Sequence, residues 1–147
     1  MTASNVTASV VAADLDEAAD IVAAERPAAD WRGFETRGAS QAHFAMLHAL
    51  LSGRYFDEAQ SELGLLHAES VDGPWLLRFP AYSVQRLAAL DEAGLEAVAE
   101  ELAATEDFEA GQWRAADALK LVQQMAELAD AAAAQGKAIF LWIVNDE

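Results

Sequence analysis

Cysteine is missing from the 147 residues, so no disulfide, thiolate metal site or cysteine nucleophile is available. Bases are scarce: nine Lys and Arg stand against 25 Asp and Glu, a formal net charge of −16. A field of that sign repels nucleic-acid phosphates and anionic lipid surfaces, and it favours cationic partners. No stretch approaches the ~18 uninterrupted apolar residues of a membrane span. The opening segment MTASNVTASVVAAD has no base, and Asp14 and Asp16 break its apolar run too early for a secretory signal. The phosphate-binding patterns G-x-x-x-x-G-K-[ST] and G-x-G-x-x-G are absent. So are the serine-nucleophile patterns G-x-S-x-G and S-x-x-K. The expectation from these gaps is a cytoplasmic domain with no cofactor, no nucleic-acid partner and no membrane contact.

What the chain does contain is apolar surface. Hydrophobic residues make up 54%, too many for general disorder, and the length suits one domain with its own core. Alanine is abundant and favours helix. The organising stretch is Gly136 to Val144, GKAIFLWIV. Ile139, Phe140, Leu141, Trp142, Ile143 and Val144 run without polar alternation, the pattern of a strand covered on both faces. Gly136 before them suits the left-handed cap of a preceding helix. Ile139, Leu141 and Ile143 should share one sheet face, with Phe140, Trp142 and Val144 on the other.

Along the chain, residues 1–5 are expected to be frayed and Val6 to Ala13 to form a first strand. A helix follows from Asp14, capped with Glu17, burying Leu15, Ala18, Ala19 and Val22 and ending at Arg26-Pro27. Trp31 to Thr36 reads as a strand and Ser40 to Ser52 as a helix with Gly53 just beyond it. Arg54 to Glu62 is ambiguous, at most a helical turn. Leu63 to Glu69 and Trp75 to Phe79 form a hairpin around Asp72-Gly73-Pro74. Pro80 opens a helix to about Leu90, Asp91 caps another, and Thr105 to Gly111 reads as a loop. The longest helix spans about Trp113 to Gln135. Strands and helices do not alternate strictly, so the expected fold is one α+β domain over residues 1–147. Its helices pack on a small mixed or antiparallel sheet with the C-terminal strand central.

Several of these pieces together resemble the YfbM-like family of uncharacterised bacterial proteins. They are Gly73-Pro74, then Pro80 with Val84 and Leu90; VVAADLDEAADIV; Leu50-Leu51-Ser52-Gly53; and the close through Gly136 to Leu141-Trp142-Ile143. The chain departs from that family before the hairpin, at Arg54 to Glu62. The resemblance implies a small α+β cytoplasmic domain and carries over no catalytic residue.

No catalytic or metal-ligating set is assigned. His43 and His48 lie five apart, about 140° around a helix, so they do not converge as an i,i+4 metal pair would. His67 alternates with Leu65 on a strand. Trp113 and Trp142 are read as core, and packing also leads for Trp75, with partial exposure beside the turn as its alternative. The feature above background is acidic: from Leu87 to Trp113 there are eight acids and no base. Glu92, Glu96 and Glu100 recur every four residues opposite Leu95, Val98 and Leu102, stacking like charges on one face. The leading expectation is therefore a non-catalytic interaction module, an immunity-type protein that neutralises a cationic toxin through those three glutamates. The alternative is a small enzyme or ligand-binding protein with a pocket near His48, His67 and Trp75, which Glu58 or Glu62 would join.

Overall fold

The structure, a computed structural model, describes residues 6–71 and 73–145. The fraying expected for residues 1–5 and the place of Asp72 in the hairpin turn fall outside those residues. Five strands form one sheet: β1 (Val6–Ala13), β2 (Gly33–Arg37), β3 (Gly64–Ala68), β4 (Trp75–Arg78) and β5 (Ala138–Asn145). Their order is β2-β1-β5-β4-β3, with every neighbouring pair antiparallel. β5 is thus the middle strand, paired along its length with β1 and on its other edge with β4. The fold is a single α+β domain.

The apolar run of β5 serves both faces. Ile139, Leu141 and Ile143 join Val6, Ala8, Val10 and Ala12 of β1 and Leu77 of β4 in the larger core. That core is completed by α3 (Gln41–Ser52), α5 (Ala81–Ala89), α6 (Glu92–Ala103) and α8 (Ala115–Gln135). Phe140 and Trp142 face the other way, with Val11, Ala13 and Leu76, under a thinner cover of N-terminal residues that includes Ile21. Each fully buried side chain of this kind stabilises by about 1.5–3 kcal/mol before entropy is subtracted. The turn from α8 into β5 uses Gly136 at φ 67°, the left-handed cap its residue type favours.

The thinner layer departs from a single amphipathic helix. Asp14 and Glu17 close a capping box over a short 3-10 turn, Leu15–Glu17, before α1 (Ala18–Ala23). Ile21, not Leu15, supplies its buried anchor, and Leu15 is exposed. Pro27 does not end the region but starts α2 (Pro27–Asp30), at a first-turn position where its missing N–H costs nothing. Trp31 lies just past α2, and its indole Nε1 donates to Glu17 at 3.2 Å. That bond and the Asp14 backbone N–H, which is the larger cause, hold the Glu17 carboxyl below its ordinary range.

Two other segments correct the reading from sequence. Phe56–Glu62, left ambiguous, is a helix (α4), because Tyr55 is extended at its N-cap and Ala59 gives it a buried anchor. Glu106–Ala110, expected as loop, is α7, capped by Thr105 and anchored by the fully buried Phe108. Both are short, and in short helices one tertiary contact outweighs propensity.

Candidate functional site

α3 carries two buried histidines and delivers each to a different end of the helical layer. Its last turn is stopped by Gly53 at φ 74°, after which the chain doubles back through α4. That return places Glu62, the last residue of α4, against His48. The His48 Nε2 lies 2.6 Å from Glu62 Oε1, and the Arg54 Nε donates to Glu62 Oε2 at 2.9 Å. On the other side of the ring, His48 Nδ1 is 2.5 Å from Ser83 Oγ in the first turn of α5. One side chain thus ties three helices together.

Serine, histidine and carboxylate in a row invite comparison with a nucleophile relay, and the geometry argues against it. Ser83 is 0% exposed and His48 2%, so no substrate atom reaches the hydroxyl. The connections are also reversed: the serine sits on Nδ1 and the carboxylate on Nε2. What does reach solvent is the outer end, with the Glu62 side chain 35% and the Arg54 side chain 51% exposed. They line a cleft of about 440 Å³ with Ser52, Pro80 and Tyr82. The arrangement can hold a ligand at the carboxylate and guanidinium; it cannot attack one with Ser83.

Of the residues expected to share a pocket, His48, His67 and Trp75, the sheet divides His67 from Trp75, and the cleft at His48 is lined by neither. His67 pairs with Leu76 on the thinly covered face, its ring 6.5 Å from that of Trp142. Trp75 pairs with Ile143 on the opposite face, against the larger core. Neighbouring residues of a β-hairpin point to opposite sides, and a bulge between Leu65 and His67 sets which side His67 takes. Glu62, not Glu58, is the carboxylate that meets His48. Ser83 was missed, although it sits in the buried stripe with Val84 and Leu87, where an unexplained hydroxyl asks for a partner.

His43 makes a different site at the other end of α3. The Ser40 backbone N–H donates to its Nδ1 at 3.1 Å, closing the helix start as a glutamate or glutamine would. Its ring packs edge-on against Phe108 at 4.6 Å and beside Trp113 at 5.7 Å. Burial pushes its pKa below the ordinary 6.5, with the Asp107 charge and backbone pulling weakly the other way.

Glu92, Glu96 and Glu100 are all exposed on α6, and none makes an ion pair among the described residues. The first turn of that helix is capped by Asp91, whose Oδ1 accepts the Gly94 N–H at 2.8 Å. Ala99 and Leu102 anchor the opposite side. No group of three or more His, Cys, Asp or Glu side chains is placed to hold a metal ion among the described residues. No helix there is long and apolar enough to cross a membrane. Comparison with protein-family models, curated proteins and solved structures returned no match.

Proposed function

We propose that the protein is a bacterial, non-catalytic interaction module that docks a cationic protein on the outer face of α6, as an immunity-type protein does its toxin. The supporting observation is the row Glu92, Glu96 and Glu100: three exposed carboxylates one turn apart, without a base on their own helix. Carboxylates left without an internal counter-charge repel one another at a small cost, which a cationic partner would relieve. With −16 on the whole chain, association should be fast at low ionic strength and slow as salt screens it. Kinship with the YfbM-like proteins belongs to the same proposal and rests on the sequence pieces alone.

The test is capture of partners from the native organism, followed by binding kinetics over a salt series. The E92Q/E96Q/E100Q variant should lose on-rate by about tenfold at low salt, with little change in dissociation. Equal on-rates for variant and parent, with no salt dependence, would reduce α6 to a solvated surface. A toxin gene beside this one would support the immunity reading.

A second reading is carried by the cleft at Glu62 and Arg54: binding of a small ligand there. It keeps the ligand-binding half of the alternative expected from the sequence and moves the pocket away from His67 and Trp75.

A further inference from the structure

A second cleft shares no residue with α6 or with the His48 network. It measures about 460 Å³ and opens between the edge strand β2 and the N-terminal half of α8. Glu35, Thr36 and Arg37 form one wall, Asp117, Lys120 and Gln124 the other, and Gly111, Gln112 and Trp113 close one end. Glu35 alternates with residues bonded to β1, so its backbone N–H and C=O point to the outer edge of the sheet.

The closing loop is built in an uneconomical way. Gln112 is, among the described residues, the one non-glycine with a left-handed backbone, at φ 63°. It stands at the end of α7, where the Gln112 N–H donates to Glu109 at 3.0 Å and the Trp113 N–H to Phe108 at 2.9 Å. That crossed pair is the closure that ordinarily places glycine at the left-handed position. Here glycine comes one residue early. A Cβ on Gly111 would lie 3.0 Å from Trp113 Cδ1, so its absence lets the indole settle on the loop. The position that would welcome glycine instead keeps a glutamine, at a cost in backbone strain. Gln112 lines the cleft beside Trp113.

We propose that this cleft binds a neutral polyhydroxylated ligand, a mono- or disaccharide, using Trp113 as a stacking wall and the amides of Gln112 and Gln124 as hydrogen-bonding groups. Charge selects the class. The Glu35 carboxylate turns to Arg26 on the other face of the sheet, so the charges facing the cleft come from α8, one acid, Asp117, and one base, Lys120, and they balance. The net −16 discourages an anion, and Lys120 discourages a cation. Primary amides, a carboxylate, a hydroxyl and the outward backbone of Glu35 offer donors and acceptors side by side, as hydroxyl groups require.

The experiment titrates glucose, maltose and cellobiose into isotope-labelled protein while following the Trp113 indole N–H and the Gln112 and Gln124 side-chain amides. At least one sugar should give a saturable shift of those signals in the millimolar range. Gln112→Gly should raise the melting temperature by about 2 °C, because glycine takes φ > 0 without strain. The same change should weaken sugar binding about tenfold, and Trp113→Phe should also weaken it. No saturable shift with any of the three sugars at tens of millimolar overturns the proposal. So does an affinity unchanged by Gln112→Gly. Binding of an alternating Val-Lys peptide along β2, with none of the sugars, would make the cleft a strand-docking edge and overturn it as well.

Discussion

His43 and His48 lie five residues apart on α3, both buried and both with Nδ1 beside a serine, yet their surroundings allow different chemistry. At His43 the Nδ1 partner includes the Ser40 backbone N–H, a group that can only donate. The ring must therefore be neutral there, with its proton on Nε2, and protonation must break the cap of α3. At His48 the Nδ1 partner is the Ser83 hydroxyl, which donates or accepts, and Nε2 meets the Glu62 carboxylate, which accepts. No donor-only group among the described residues faces either nitrogen of that ring. At His43 burial and the backbone N–H at Nδ1 act together to keep the ring neutral.

Removing the rings tests the contrast most severely. His48→Ala leaves a cavity at the meeting of α3, α4 and α5 and strands the Ser83 hydroxyl; about 3 kcal/mol should be lost. Glu62→Ala should cost about 1–2 kcal/mol, since Nε2 loses its acceptor while the ring still fills its space. Denaturant unfolding of both variants measures this. A His48→Ala loss no larger than that of Glu62→Ala would mean that the ring contributes little beyond its carboxylate contact.

Acid should act on His43 next. The folded pKa of His43 lies below its ordinary 6.5. The unfolded chain therefore takes up a proton first as pH falls, and stability present above about pH 6.5 is lost towards the depressed folded value. Gln at this position can keep the capping bond without titrating, so His43→Gln should flatten that limb. Stability of parent and variant compared between pH 7 and 5 decides it, and parallel curves would show that His43 carries none of the acid sensitivity.

The smallest effect belongs to the acidic face, where carboxylates stand without the partners Glu62 has. E92Q/E96Q/E100Q should melt at or slightly above the parent temperature, because each relieved i,i+4 repulsion is worth a few tenths of a kcal/mol. A clear drop in thermal unfolding would assign these glutamates a structural contact and weaken their reading as a docking surface.

Local chemistry and periodicity sufficed for the parts that depend on neighbours in sequence. The fully apolar Ile139 to Ile143 could only be satisfied by cover on both faces, and the central strand followed. Gly53 and Gly136 marked helix ends because a left-handed residue is cheapest without a Cβ. The hairpin and the α+β class were legible for the same reason. Tertiary structure alone decided the rest. α4 and α7 exist because Ala59 and Phe108 find buried seats, which no window of seven or five residues reveals. His67 and Trp75 were divided by the pleat and a bulge, a matter of register that composition cannot set. Glu62 and Ser83 reached His48 from 14 and 35 residues away, because a hydrogen bond depends on where the packed helices bring its atoms and not on sequence spacing.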